Sequence, residues 1–140
     1  MIPKEIEDDL LVKYNYAIDN KFYLEGIAII FHLLELRTRS IITSFTGKNP
    51  GNRVKIKKSI QRIKKNKKNH PSLGKHFQAD LTSKVLKWKD TRDELMHHLV
   101  NDDLENYDVD VVAQNGLDIY KEFTAAHKAW LSEFNHPMKL

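Results

Sequence analysis

Residues 22–45 read FYLEGIAIIFHLLELRTRSIITSF, and this stretch decides the fold class. Its apolar positions recur at alternating steps of three and four, which is the spacing of one face of a helix. The positions on this face are Leu24, Ile27, Phe31, Leu34, Thr38, Ile41 and Phe45. Because the first half of the stretch is apolar nearly all round, we expect a central helix that other helices surround.

The same spacing predicts three further long helices. Their expected ranges are 3–20, 80–100 and 109–134. In the last of these, Gly116 interrupts the apolar face where another helix can approach closely, and His127 is expected to be a hydrogen-bonded core residue. Residues 72–78 are expected to form a connector, and no stretch alternates convincingly with the period of two that strands require. The sequence therefore predicts a single all-α domain over residues 1–140, an up-and-down helical bundle of four long helices plus one short basic helix.

Composition restricts the class of protein. The chain has no cysteine, which excludes disulfides and thiolate metal sites and fits a cytoplasmic protein. Its first residues are polar and acidic, unlike a signal peptide. The longest apolar run, over residues 27–34, is interrupted by His32 and is too short to span a bilayer. We therefore expect no membrane partner.

Charge is strongly segregated along the chain. From residue 36 to residue 79 there are 13 lysines and arginines and no acidic residue, whereas the remainder holds 10 basic residues (23 minus 13) and 19 acidic residues. A domain with one strongly positive segment and an acidic remainder orients towards a polyanion. Nucleic acid is the most common polyanionic partner.

We call residues 48–75 the basic arm. Its centre, over 53–69, is the predicted short helix, with three isoleucines on one face and basic side chains elsewhere. The candidate nucleic-acid-binding residues are Arg53, Lys55, Lys57, Lys58, Arg62, Lys64, Lys65, Lys67 and Lys68. Phosphate contacts from such residues give an affinity that falls steeply with salt. A lysine-rich face that only keeps the protein in solution is an alternative of about equal weight.

Residues 92–98 read RDELMHH and lie near the end of the third long helix. The apolar face of this helix is formed by Leu81, Val85, Trp88, Leu95 and Leu99. Arg92 occupies a position on that face, where a charge is costly to bury without an anion or a paired group. Asp93 and His97 are four residues apart, so we expect the carboxylate to hold the imidazole in one tautomer. His98 is the second candidate ring.

The order of Arg92, a polar residue, three further residues and His97 resembles the Rx4–6H motif of the HEPN superfamily. These are small all-helical domains, many of them ribonucleases of toxin–antitoxin, abortive-infection and other defence systems. The length of the chain and the long helices before and after the motif agree with the resemblance. Family members often have Asn after the Arg, where this chain has Asp93. The resemblance implies a HEPN-like bundle that cleaves RNA without a metal or other cofactor.

The resemblance also implies roles for the candidate catalytic residues. His97 would act as general base or acid on the ribose 2′-hydroxyl or on the leaving 5′-oxygen. Arg92 would stabilise the negative charge that develops at phosphorus. Asp93 and His98 complete the candidate set, since a spacing with one more residue also satisfies the family pattern. The expected products carry a 2′,3′-cyclic phosphate and a 5′-hydroxyl.

The spacing of the motif predicts that one copy is not enough. Arg92 and His97 project about 140° apart on a straight helix, because each residue adds about 100°. The resemblance implies a homodimer in which two motifs face each other across a composite cleft. An arginine on an otherwise apolar face agrees with a twofold interface formed by the motif helices. The expected partners are therefore RNA, a second copy and, in a toxin system, an antitoxin or other partner protein.

Structural alternatives exist for each residue of the motif. Arg92 could stack on Trp88 and pair with Glu35, and His97 and His98 could complement the negative end of the helix dipole. The chain would then be a non-catalytic HEPN-like helical dimer. Such a dimer would bind nucleic acid, or a partner protein such as a nucleotidyltransferase.

Overall fold

The computed structural model describes residues 2–51, 54–101, 104 and 107–135. Within these ranges the chain forms helices and the connections between them, which confirms the all-α prediction. The helices are α1 (Lys4–Asp19), α2 (Tyr23–Thr46), α3 (Ile56–Asn66), α4 (Pro71–His76), α5 (Ala79–Val100) and α6 (Val109–Asn135). None of the helices in these ranges has the length and apolar character that crossing a membrane requires.

The predicted central helix, α2, is the centre of the structure. Helices α1, α3 and α6 pack directly against α2, whereas α5 packs on α3 and α6, and α4 packs mainly on α6. Ile27, Ile30, Leu34 and Ile41 of α2 have no exposed surface. All six helices contribute side chains to one hydrophobic core.

The predicted connector over residues 72–78 is wrong in part, because most of it is the short helix α4. Pro71 occupies the first turn of α4, where its fixed φ suits a helix and its missing N–H costs nothing. Leu73 and, just beyond the helix, Phe77 are fully buried. A helix of 6 residues is too short to show a periodic pattern. The structure therefore has four long helices and two short ones, where one short helix was predicted.

The apolar face of α5 also ends earlier than predicted. Leu81, Val85, Trp88 and Leu95 are buried, but Leu99 is 41% exposed and the following Val100 is 85% exposed. The last turn of α5 thus lies outside the core. An apolar spacing can continue for one turn after the helices that cover it have ended.

Gly116 marks the closest approach of α5 to α6. A Cβ atom at this position would lie 2.5 Å from Cζ2 of Trp88, closer than real Cβ contacts allow, and 3.0 Å from Cγ2 of Ile30, tighter than most real Cβ contacts. The indole of Trp88 is held in place, since its Nε1–H donates to the carbonyl oxygen of Val112 at 2.9 Å. The prediction that Gly116 allows a close helix approach is confirmed.

We predict that Gly116→Ala lowers the free energy of unfolding by about 1–3 kcal/mol, because the added methyl group overpacks a rigid site. Gly74→Ala is the matched control, since a Cβ there would meet only the flexible side chain of Lys67, at 3.8 Å from Cδ and 3.9 Å from Cγ. That variant should be neutral or up to about 1 kcal/mol more stable through helix propensity. Urea unfolding followed by tryptophan fluorescence measures both, and equal effects of the two substitutions would contradict the prediction.

Candidate nucleic-acid interface

A cleft of about 620 Å³ opens between α2, α3 and α5. It exists because α3 packs against both α2 and α5, while the described parts of α2 and α5 scarcely meet. Its lining consists of Phe31, Glu35, Lys55, Ile56, Lys57, Lys58, Lys89, Arg92 and Asp93. Five of these residues are cationic and two are anionic, so the lining carries a formal charge of +3 (five minus two). We call this cavity the basic cleft.

Arg92 lies across the basic cleft from α5 to α2. Its Cζ lies 4.0 Å from the centre of the Phe31 ring, a cation–π contact. Its Nη1 donates to Oδ1 of Asp93 at 3.0 Å, while its buried Nε has no hydrogen-bond partner among the described residues. The alternative of aromatic stacking is therefore correct in kind, but the ring is Phe31 and not Trp88.

Glu35 does not pair with Arg92 as that alternative proposed. Its carboxylate lies 3.5 Å from Nη2 of Arg39 and 4.0 Å from Nδ1 of His32, both on the same helix. A pair four residues apart on one helix needs no neighbouring element to form. Arg92 therefore has only Asp93 as its carboxylate partner within the described chain.

The expected pairing of Asp93 with His97 is wrong. The Asp93 carboxylate accepts from Nζ of Lys89 at 2.8 Å and from Arg92 at 3.0 Å, and within the described chain it does not contact His97. Burial raises the pKa of Asp93, but hydrogen bonds from Lys89 and Arg92 outweigh this and lower it. The hydrogen bond to Asp93 raises the pKa of Lys89. Asp93 therefore positions two cations at the basic cleft and does not orient an imidazole.

The two candidate histidines lie outside the basic cleft. His97 is exposed on the last turns of α5, with its ring centre 5.9 Å from that of His98. His98 is half-buried, and its ring centre lies 5.2 Å from that of Tyr107. One copy of the chain does not bring either ring to Arg92, as the spacing along the helix predicted.

Only part of the predicted basic surface lines the basic cleft. Lys55, at the N-cap of α3, and Lys57 and Lys58, in its first turn, extend into it. Of the other candidate binding residues, Arg62, Lys64, Lys65 and Lys68 are exposed but do not line the basic cleft. Burial and the charge of Lys64 lower the pKa of the half-buried Lys67. Arg53 lies outside the described residues, so nothing places it.

The isoleucines of the predicted basic helix fix the direction of its charges. Ile56, Ile60 and Ile63 are at most 1% exposed and face the core, so the lysines of α3 must face solvent or the basic cleft.

Two further residues of the cleft were not identified from the sequence. Phe31 had been assigned to the apolar face of α2, and Lys89 could have been found from its spacing of four residues to Asp93.

A second polar cluster is buried at the centre of the molecule. Arg37, which is 5% exposed, donates to Glu7, to Nδ1 of His127 at 3.0 Å and, at 3.4 Å, to the hydroxyl of Tyr120. The Tyr120 hydroxyl also donates to Glu7. A buried guanidinium with a carboxylate and two further partners is an internal ion pair that holds α1, α2 and α6 together. His127 is thus a hydrogen-bonded core residue, as predicted.

His127 and Ser44 are as close as a catalytic base and its nucleophile, but the proton lies on the histidine nitrogen that faces the serine. Nε2 of His127 lies 3.0 Å from Oγ of Ser44. Because the guanidinium of Arg37 can only donate, Nδ1 must be the acceptor and Nε2 must carry the proton. Ser44 in turn donates to the carbonyl oxygen of Ser40 at 2.8 Å. This histidine cannot accept the proton of the serine, so the pair is structural.

Comparisons of the chain with protein-family models, with curated proteins and with solved structures found no match. In the ranges that the structure describes, no three His, Asp or Glu side chains are grouped closely enough to hold a metal ion. The function is therefore inferred from the charges and contacts of the basic cleft together with the motif of α5.

We predict that His127 makes folding less favourable in acid. Burial, then the charge of Arg37, lower the pKa of His127 from 6.5 to about 3, so the folded protein keeps the ring neutral while the unfolded chain takes up a proton below pH 6.5. Stability should therefore fall as the pH decreases from about 6.5 towards 3, with this ring contributing about 1.4 kcal/mol per pH unit.

The control is His127→Asn, whose amide oxygen can accept from Arg37 but which does not titrate. Urea unfolding between pH 6 and pH 5 gives the slope of the free energy of unfolding against pH. This slope should be smaller in the variant by the amount that corresponds to about one proton. All other histidines are shared by the two proteins, so their contributions cancel. Equal slopes would show that the folded protein accommodates a charged His127.

Proposed function

We propose that this chain is a metal-independent endoribonuclease of the HEPN type that acts on RNA as a homodimer. In this proposal the helices form a HEPN-like up-and-down bundle, and the protein serves as a toxin or another defence effector. The observation that carries the proposal is the position of Arg92. The one arginine of the motif lies in the cleft that also collects lysines from α3.

The basic cleft has the charge and shape to hold a phosphate backbone. Lys57 and Lys58 come from α3 and Lys55 from its N-cap, whereas Lys89 comes from α5, so the cations surround the cavity from two sides. Such contacts supply affinity that does not depend on base sequence. Lys89 pairs with Asp90 at 3.6 Å as well as with Asp93, which it shares with Arg92, so the excess of positive charge in the cleft comes from Lys55, Lys57 and Lys58.

Arg92 is suited to stabilise a phosphorus centre with five ligands. The contact with Phe31 and the hydrogen bond from Nη1 to Asp93 fix the plane of the guanidinium before any RNA binds. Nε is buried, so both N–H groups of Nη2 and the second N–H of Nη1 remain to donate to phosphate oxygens, in the bidentate geometry that arginine provides. A donor that is already in place contributes more to catalysis than one that must be ordered during the reaction.

Cleavage follows from adding an imidazole to this arrangement. A base removes the proton of the 2′-hydroxyl as the 2′-oxygen bonds to phosphorus, and an acid gives a proton to the 5′-oxygen as the bond from phosphorus to that oxygen breaks. His97 fills these roles in the proposal, since histidine changes charge near neutral pH. The products are a 2′,3′-cyclic phosphate and a 5′-hydroxyl.

A second copy supplies the imidazole that one copy lacks. His97 lies one turn after Asp93 on the exposed last turns of α5, outside the lining of the basic cleft, and the exposed Leu99 and Val100 follow it. Exposed apolar side chains at the end of the motif helix are suited to a contact between copies. A twofold axis that crosses α5 between Arg92 and His97 would place His97 of one copy towards the Arg92 of its partner.

A second candidate function has its own observation. The guanidinium of Arg92 already has Asp93 and Phe31 as partners, and His97 lies outside the cleft. These facts also suit a non-catalytic HEPN-like dimer that binds nucleic acid, or a partner protein such as a nucleotidyltransferase, through the basic arm. Both candidates can bind RNA, so binding does not distinguish them, whereas cleavage of RNA does.

We predict that the purified protein cleaves single-stranded RNA in EDTA. Arg92→Ala should reduce the cleavage rate by about 10²–10³ and His97→Ala by about 10²–10⁴, the usual effects of removing an electrostatic donor and a general base. Arg92→Lys should retain binding but recover little of the rate, since a lysine lacks the bidentate geometry. The measurement is the initial rate with end-labelled RNA.

His32→Ala is the control, since His32 is exposed on α2 and does not line the basic cleft. His98→Ala should also leave the rate close to that of the wild type. If His98→Ala abolished cleavage and His97→Ala did not, the roles of the two rings would be exchanged. RNA that binds but stays intact in the presence of the wild type would favour the non-catalytic dimer.

We predict that two inactive variants restore activity when they are mixed. In a composite cleft, a heterodimer of Arg92→Ala with His97→Ala keeps one intact site, which combines Arg92 of one subunit with His97 of the other. Random pairing makes about half of the dimers mixed, so the recovered rate should approach about a quarter of the wild-type rate. Subunit exchange before the assay is the requirement, and no recovery after exchange would mean that the site does not combine the two subunits.

A further inference from the structure

A second cavity of about 290 Å³ lies at the other end of α3. It is bounded by the end of α2, by the loop that follows it and by the last turns of α3, and we call it the loop cleft. Lys48 and Arg62 supply its charges, and no acidic residue is part of its described lining. A cavity with two cations and no counter-charge is suited to an anion.

The loop cleft also offers an aromatic surface. The ring of Phe45 lines it and has its centre 5.8 Å from that of His70, which keeps the ring in place. Asn66 lines it as well and donates from Nδ2 to the carbonyl oxygen of Arg62 at 2.8 Å, so its Oδ1 faces away from that bond. A cation beside an aromatic ring and an amide is the combination that holds a phosphate and an unpaired base.

The two clefts lie along the same side of α3. Lys58 lines the basic cleft and Arg62 lines the loop cleft, and residues four apart are neighbours on one face of a helix. From Lys57 to Asn66 the helix advances about 14 Å, at about 1.5 Å per residue. At about 3.4 Å per stacked nucleotide, this distance corresponds to about four nucleotides.

We infer that α3 guides a single strand of RNA from the basic cleft to the loop cleft, which binds a nucleotide about four positions away. This inference depends on the proposed function for the identity of the ligand as RNA. A single strand fits better than a duplex, because the loop cleft places the ring of Phe45 beside a cation and only an unpaired base can stack there, whereas Arg92 already covers the ring of Phe31 in the basic cleft. The loop cleft thus makes affinity depend on the length of the strand.

The experiment measures binding separately from cleavage. Oligouridylates of two to ten nucleotides with 2′-O-methyl groups lack the hydroxyl that attacks phosphorus, and fluorescence anisotropy at fixed salt gives their affinities. In the wild type, affinity should rise most steeply between about four and about eight nucleotides, where the second cleft is reached. Lys48→Ala/Arg62→Ala should remove this rise and weaken the ten-nucleotide ligand about tenfold or more, while ligands of two to four nucleotides bind as before.

Lys121→Ala/Lys128→Ala is the matched control, since it removes two exposed charges of α6 that line neither cleft. The loop-cleft variant should also reduce the dependence of log affinity on log salt by about 1.4, or about 0.7 for each lost phosphate contact. An equal loss in both double variants would overturn the inference in favour of general charge. Duplex RNA that binds as tightly as the single strand would overturn it too, whereas a wild type that binds no oligonucleotide would refute the proposed function itself.

Discussion

Coverage of α2 is the constraint on which the rest of the structure depends. Its apolar surface is already occupied by α1, α3 and α6, so α5 must attach through α3 and α6 instead. The space left between α2 and α5 is the basic cleft, and Arg92 crosses it to reach Phe31. The isoleucines that hold α3 against the core leave its lysines at the edge of the same space. The position of the cleft is thus a consequence of helix packing.

Arg37 and Arg92 differ in how deeply they are buried and in how their charges are neutralised. Arg37 is neutralised by Glu7, lies 5% exposed and contributes to a closed network inside the bundle. Arg92 shares its single carboxylate with Lys89 and has a side chain that is 27% exposed. Removal of either partner from a buried ion pair is costly, which suits a structural role for Arg37. Lys89 and Arg92 are balanced by Asp93 and Asp90, so the positive charge that remains at the basic cleft is that of the lysines at the start of α3.

Sequence periodicity predicted the features that depend on the pattern of residues within a single helix. The four long helices, the burial of three isoleucines in α3 and the close approach at Gly116 all follow from spacing. Side-chain partners did not follow from it. Asp93 has Lys89 four residues before it and His97 four residues after it, and a permanent cation is the stronger partner of a carboxylate. The contact of Arg92 with Phe31 depends on how α5 and α2 approach each other, and the spacing of residues within one helix carries no information about that.

In the proposed function, binding and chemistry are divided between different kinds of side chain. Lysines of α3 are long, exposed and unordered by neighbours, so they suit sequence-independent contacts with phosphates. Arg92 is planar, half-buried and fixed on two sides, so it suits a single defined phosphate. Affinity could therefore be lost along the arm without a change in the geometry at Arg92. In the proposed function, every copy would bind RNA along α3, while cleavage would need the imidazole of the second copy.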